Sequence, residues 1–401
     1  MAVTPQGVRP ILIAGGGIGG QAAAIALANR GFRCRVLEKR TVFDEAGAGI
    51  QIGPNGVAVL RALGVEAALA AHVGTPEVLV VRDGKHGTIQ ARLPLGAEIE
   101  RRLGAPYWTA HRADLHATLR DAAARHPGIV MTPGFAADRL EATGDGVKVV
   151  ATSGAEATGA AVIGADGLWS TLRGYVTGRI QPHYTGRRAY RTVIPAAEAS
   201  GPLAENAVGL WLLPRCHVVH YPVRMGAEVA VVVVVEETEP FAQPATEVDR
   251  HELMGRLGGW LDPVRAEALS RAQRWYGWDL FELLELPAWT NGRVVLIGDA
   301  AHPMQPFLAQ GAVMALEDSL TLADHMAATP ADLPEAFVRF EAARRSRVER
   351  VARTAARNGR IYHLAGVGRF ARNCALHAVS GQALLARYDW LYEYDALTVP
   401  I

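Results

Sequence analysis

Cysteine is scarce in this chain: Cys34, Cys216 and Cys374 are the only three, they lie far apart, and no CxxC pair occurs. That spacing excludes a disulfide framework and a cysteine-based zinc site, and no metal is expected. Lysine is as rare, with Lys39, Lys85 and Lys148 alone among 41 basic residues, an arginine bias that reads as genomic composition. Charge of one sign is also missing. The 41 basic and 40 acidic residues leave a formal net charge of +1, which excludes a nucleic-acid partner held by electrostatics. The longest aliphatic run, Val229 to Val235, falls far short of the ~20 residues that span a bilayer. The opening MAVTPQGVRPILIAGGG lacks a basic n-region and a small-residue cleavage site. A soluble cytoplasmic protein with no membrane partner is expected.

What is present is apolar and rich in glycine. Half of the 401 residues are hydrophobic, a fifth are charged and 42 are glycine, so two or three packed units with many tight turns are expected. The clearest local pattern lies near the start. Ile11 to Ala14 reads as a buried strand, and Gly15-Gly16-Gly17-Ile18-Gly19-Gly20 follows it. An alanine-rich helix runs to Arg30 and stops at Gly31, and a second strand over Arg33 to Leu37 ends at Glu38 and Lys39. Gly15 allows the tight turn, Gly17 the close approach of a pyrophosphate, and Gly20 close helix–strand packing, while the helix N-terminus offers N–H groups to phosphates. Glu38 can accept hydrogen bonds from an adenosine ribose. No second strand–GxGxxG–helix unit occurs, so one dinucleotide is held this way.

Two later segments have the same logic. Ala161 to Ala165 runs into Asp166 and Gly167, and Val294 to Ile297 runs into Gly298, Asp299, Ala300, Ala301, His302 and Pro303. Both acids follow strand C-terminal ends, where α/β sheets place ligands. Gln310, Gly311 and Ala312 open an apolar helix to about Met326, whose N-terminus is a positive site.

With GGGIGG at 15–20, HRADL at 111–115, GADG at 164–167, GDAAHP at 298–303 and AQGA at 309–312, the chain resembles the single-component FAD-dependent aromatic hydroxylases. GAGIQIGPN (47–55), HVVHYPV (217–223), PMQPFLAQGA (303–312) and RYDWLYEYDA (387–396) resemble in particular the group of salicylate hydroxylase, 3-hydroxybenzoate 6-hydroxylase and 6-hydroxynicotinate 3-monooxygenase. The resemblance implies an α/β fold: a Rossmann-like FAD-binding domain over 1–75, 100–180 and 289–330, an inserted mixed or antiparallel-sheet substrate domain over 76–99 and 181–288, and a C-terminal helical segment over 331–401. It implies FAD as cofactor, NADH or NADPH as reductant, O₂ as co-substrate, and hydroxylation of a small phenolic or hydroxylated heteroaromatic compound through a flavin hydroperoxide. Cofactor contacts are expected from Gly15, Gly17, Gly19, Gly20, Glu38, Lys39, Gly49, Arg112, Asp166, Asp299, Gln310, Gly311 and Ala312. A homodimer is the default expectation.

Between the GADG and GDAAHP segments the text changes to strands: Trp211 to Leu213, His217 to Val223 and Glu228 to Val235, with a hairpin over 78–93 expected beside them. Period two puts His217, Val219 and Tyr221 on one face and Val218 and His220 on the other. Alone, His217 reads as a core or surface histidine; the resemblance makes it the base for a substrate hydroxyl and makes Tyr221 an orienting group. Gln51 stands where some relatives have histidine, and Pro306 and Phe307 stand where some have polar groups. A substrate carboxylate would then fall to Gln51, Tyr190 or Arg191. His302 and His111 read as structural, Trp275 and Trp278 as core or interface aromatics, and Met304 and Met314 as packing. The eight arginines from Arg339 to Arg360 read as a solvated helix face or a subunit contact.

Rival readings are weaker. A plain NAD-dependent dehydrogenase leaves GDAAHP–AQGA unexplained. A flavin halogenase should carry WxWxIP, which is missing, and an epoxidase needs no phenol base. A flavin-binding sensor or scaffold would show no substrate-stimulated NADH oxidation.

Overall fold

The computed structural model describes residues 9–42, 49–241, 246–283 and 285–398, so Gly47 and Ala48 of the GAGIQIGPN stretch lie outside the described residues. The apolar run Ile11–Ala14 is fully buried and forms an inner strand of a six-stranded sheet. The order is Thr290–Asn291, Val294–Leu296, Ala161–Gly164, Ile11–Ala14, Cys34–Glu38 and Ile129–Pro133. All neighbours are parallel except the short hairpin at the Thr290–Asn291 edge. The helix Ile18–Ala28 is buried on nearly every side because its alanines let it pack between this sheet and the helix Gly311–Ala328.

The second sheet has eight strands, in the order Thr246–Val248, Trp275–Glu282, His183–Pro195, Glu228–Glu236, Cys216–Val223, Ala207–Leu213, Val78–Asp83 and Ile89–Pro94. It is antiparallel apart from the parallel pairing of Ala207–Leu213 with Val78–Asp83, so the early hairpin joins strands that come more than a hundred residues later. The Ala207–Leu213 strand begins four residues before the expected Trp211, because Ala207, Val208 and Gly209 pair with Val78, Leu79 and Val80. Gly209 has a packing reason. It faces His220 across the ladder, and a Cβ at 209 would lie 1.8 Å from His220 Nε2. His220 is fully buried against Trp211, ring centroids 5.0 Å apart, and has no room to yield. Gly209→Ala is therefore expected to cost about 1–3 kcal/mol, read as a lower denaturant midpoint.

A three-stranded sheet of Gly49–Ile52, Trp108–His111 and Val73–Gly74 sets Gln51 beside the strand that leads into Arg112. The C-terminal part is helical, led by Leu333–Tyr362. On that helix the solvated-face expectation fails for two arginines. Arg344 is completely buried and Arg347 nearly so, because Glu317 and Asp318, buried on the helix Gly311–Ala328, need their charge. Among the described residues no helix is long and apolar enough to cross a membrane.

Candidate active site

A cavity of about 310 Å³ is lined on one side by the strand ends and loops of the six-stranded sheet and on the other by the face of the eight-stranded sheet. On the first side, Gly15 has φ +108°, and a Cβ there would lie 2.2 Å from the Ala165 carbonyl oxygen. A Cβ at Gly20 would lie 1.9 Å from the Gly15 carbonyl oxygen. These two positions require glycine for packing. Gly17 differs: a Cβ there would meet nothing within 4 Å, and Gly17 caps the helix Ile18–Ala28 without a side-chain bond. The N–H groups of that first turn thus face a cleft with room for phosphates.

Glu38 is buried, and its Oε2 accepts from the Gly16 N–H at 2.7 Å while Oε1 accepts from the Arg40 N–H at 2.8 Å. This ties the second strand to the glycine loop and leaves the carboxylate at the loop's edge. Lys39 is exposed and is not part of the cavity wall. Asp166 accepts from the Thr171 and Leu172 N–H groups through Oδ2, but its buried Oδ1 has no partner among the described residues; burial pushes this carboxyl up. An orphaned acceptor in the loop beside Gly167 fits a ligand hydroxyl. Asp299 and the backbone of Gly298, Gly311 and Ala312 line the same cleft, as do Gly19, Gly49 and Arg112. Gln310 does not reach it: its side chain is buried and accepts from Asn55 Nδ2 at 3.0 Å. Ala309 has φ +53°, a left-handed turn that aims the N-terminus of Gly311–Ala328 at the cavity. Two helix N-termini, open glycine backbone and an unsatisfied carboxylate oxygen together fit FAD.

The turn after Val294–Leu296 is anchored from below. Asp318 Oδ2 accepts from the Gly298 N–H at 3.0 Å and lies 2.6 Å from His302 Nε2, and Oδ1 accepts from Arg344 Nε at 2.8 Å. Burial opposes ionisation, but His302 and Arg344 outweigh it and bring the Asp318 carboxyl down to about 2. His302 is a structural member of this network, as its place in a turn suggested.

On the second side, His217, Val219 and Tyr221 all line the cavity, with Val232 and Val234 from the neighbouring strand and Arg191 from the strand beyond. His217 Nδ1 lies 2.9 Å from His363 Nε2, and the ring packs between Phe307 and Tyr362 at 5.3 and 5.4 Å. Burial, reinforced by His363 and Arg187, holds the His217 imidazole well below its ordinary range, so the ring is uncharged at pH 7. Burial pushes the Tyr221 phenol up, so it stays a hydrogen-bond donor. Tyr107 donates to Gln51 Oε1 at 2.8 Å, fixing that amide at the cavity wall. Among the described residues Arg191 makes no ion pair and its buried Nε has no acceptor; its guanidinium lies 5.2 Å from the Trp278 ring.

Tyr190 is a correction. Neighbours in a strand face opposite sides, so Arg191 takes the cavity and Tyr190 turns away into the core with Ile194 and Trp211. Its hydroxyl donates to Glu237 Oε1 at 3.1 Å. Phe307 is also one layer back. It is buried against Gly359, where a Cβ would come within 2.4 Å of its ring, and supports His217, while Pro306 and Met304 line the cavity. Met304, expected from the sequence to pack only, thus reaches the cavity. Sequence reasoning missed His363, Tyr362 and Arg187 as neighbours of His217; 146 residues separate the two histidines, and no local pattern joins them.

Known proteins resemble the chain over most of its length. Residues 9–355 match the family described as FAD binding domain. The chain is 36% identical over 387 residues to 3-hydroxybenzoate 6-hydroxylase of Polaromonas naphthalenivorans, covering 96% of each chain. It is 35% identical over 355 residues to 6-hydroxynicotinate 3-monooxygenase of Bordetella bronchiseptica, covering 86% of this chain and 91% of the relative. The crystal structure of Klebsiella pneumoniae HpxO complexed with FAD and uric acid superposes with a TM-score of 0.85 at 26% identity, covering 100% of both chains.

Proposed function

From a chain that belongs to the FAD binding domain family, we propose an FAD-dependent, NAD(P)H-consuming monooxygenase that hydroxylates a phenol or hydroxypyridine bearing a carboxylate. The observation that carries this reading is one cavity holding a neutral buried imidazole, a phenol donor and an arginine without a counter-ion among the described residues. The N-terminus of Ile18–Ala28 would hold the pyrophosphate, Glu38 a ribose hydroxyl, Asp299 and Arg112 the middle of the cofactor, and the N–H groups of Gly311 and Ala312 the flavin's pyrimidine edge. Bound FAD supplies reduction by the nicotinamide and activation of O₂.

The protein's own part is acid–base and positional. His217 Nε2 is the ring nitrogen not engaged by His363, and it takes the proton of the substrate hydroxyl, raising electron density on the ring. Tyr221 donates to the resulting oxyanion. Arg191 meets the carboxylate, since a cation at a buried site gains most from an anion brought in by the substrate. Val219, Val232, Val234 and Pro306 keep the remaining wall apolar and dry.

The test is the purified protein with its oxidised-flavin spectrum, assayed with hydroxybenzoates, hydroxypyridine carboxylates and their descarboxy analogues for NADH and NADPH consumption and product mass. Substrate-stimulated oxidation with one added oxygen in the product is expected; absence across the panel would refute the reading. Arg191→Met is expected to raise KM for carboxylated substrates by about 10–100-fold, the worth of a charge-assisted hydrogen bond, and to leave descarboxy phenols nearly unchanged.

A further inference from the structure

His217 does not end the polar chain that starts in the cavity. His363 caps the long helix Leu333–Tyr362, and its Nδ1 lies 3.2 Å from Glu236 Oε1. Glu236 is the first member of this chain to meet solvent, its side chain 31% exposed, and its Oε2 accepts from the exposed Arg215 Nε at 2.9 Å. The three groups come from three elements: the strand Cys216–Val223, the C-terminal cap of the long helix and the end of Glu228–Glu236. The helix end is held in place, since Arg215 N–H donates to the His363 carbonyl at 3.0 Å and Arg372 Nη1 donates to the Ile361 and Tyr362 carbonyls. Phe307 and Tyr362 cover the His217 ring, so Nδ1 is its exit from the cavity.

We propose that His363 and Glu236 carry the substrate proton from His217 to solvent. The proposal rests on His217 being the base. The substrate hydroxyl gives its proton to His217 Nε2, His217 Nδ1 passes its own to His363 Nε2, and His363 Nδ1 passes its own to Glu236 Oε1, which releases it to water. Each imidazole ends neutral in its other tautomer, and no electron moves between groups. The charged neighbours favour this direction. Arg187 faces both histidines from the strand His183–Pro195, and Arg372 faces His363 from the helix Gly366–Ala378; both cations oppose a resting imidazolium. Burial and Arg187 bring His363 down to about 4, though Glu236 draws it upward. Burial opposes ionisation of Glu236, but the bonds from Arg215 and His363 keep its carboxyl below the usual range, ready to accept and release.

The experiment uses FAD-loaded enzyme and 4-hydroxy-3-nitrobenzoate, a carboxylated phenol whose anion is coloured, mixed by stopped flow below the probe's own ionisation range. The wild type should form phenolate rapidly. His363→Phe and Glu236→Gln should slow its appearance, His363→Phe by about 10²-fold, with FAD content unchanged and with added imidazole restoring much of the rate in His363→Ala. His363→Gln can still hydrogen-bond to His217 but cannot relay a proton, so it should be as slow as His363→Phe; wild-type rate in His363→Gln would reduce His363 to a positioning role and overturn the relay. Wild-type rates in His363→Phe and Glu236→Gln, with phenolate lost in His217→Ala, would overturn the relay alone. Undiminished phenolate in His217→Ala, or none in the wild type, would overturn the base assignment beneath it.

Discussion

His217→Ala is expected to lower product formation by about 10²–10⁴-fold, the usual worth of a placed general base. The substitution removes the neutral imidazole that faces the cavity, and among the described residues nothing else on the eight-stranded sheet's face of the cavity can take a proton: Tyr221 is a phenol pushed up by burial, Arg191 is a cation and the others are valines. A substrate left protonated reacts slowly, so the residual NADH consumption should run to hydrogen peroxide, scored as a falling ratio of product to NADH. The pH profile carries the same assignment. Protonation of His217 disables it, and burial lowers its pKa, so the acid limb of kcat/KM should lie below the 6.5 of an ordinary imidazole. An acid limb at or above 6.5, or unchanged product yield in His217→Ala, would remove His217 from this role.

Arg344→Leu is expected to be the most destabilising single change, about 3–5 kcal/mol, because it leaves buried carboxylates without their cation. Arg344 donates to Glu317 Oε2 at 2.7 Å and to Asp318 Oδ1 at 2.8 Å, and all three side chains are fully buried. Arg347 would still reach Glu317, so the deficit falls on Asp318. Asp318 also accepts from the Gly298 N–H, so the loss reaches the cavity wall at Gly298 and Asp299, and FAD should dissociate more readily on dilution. Arg353→Ala on the same helix is the control. Its side chain is 65% exposed and its nearest carboxylate among the described residues lies 3.5 Å away, so its stability should change by no more than about 0.5 kcal/mol. Acid should act like the mutation. The Asp318 pKa falls from 3.8 to about 2 on folding, so its contribution is complete above roughly pH 4 and is lost as pH falls through about 2. Equal denaturant midpoints for Arg344→Leu and Arg353→Ala would contradict this account.

The contrast between Arg344 and Arg353 shows where sequence reasoning stopped. Both lie in one alanine-rich helix with the same periodic text, and only the presence of Glu317 and Asp318 on a helix almost thirty residues upstream decides which is buried. Tyr190 and Arg191 pose the same problem in a strand. Alternation dictates that one of them faces the cavity, but which one depends on the side to which the sheet packs. That His217 and Tyr221 share a face was legible from the two-residue period, and both line the cavity. His363 was not, since its partner is 146 residues away.

The sequence by itself determined the nucleotide half. Phosphate binding uses backbone N–H groups and the absence of side chains, properties written into a few consecutive residues, so the glycines at 15, 17 and 20 could be assigned their tasks directly. The same locality explains Asp166 and Asp299 at strand ends. The tertiary structure decided the substrate half. There the cavity is made of side chains from strands far apart in the chain, and its electrostatics come from desolvation: a histidine made neutral by burial and an arginine with no anion among the described residues. Burial belongs to the packed molecule and to no segment of it, which is why spacing could point to a dinucleotide but not to the histidine pair behind the cavity.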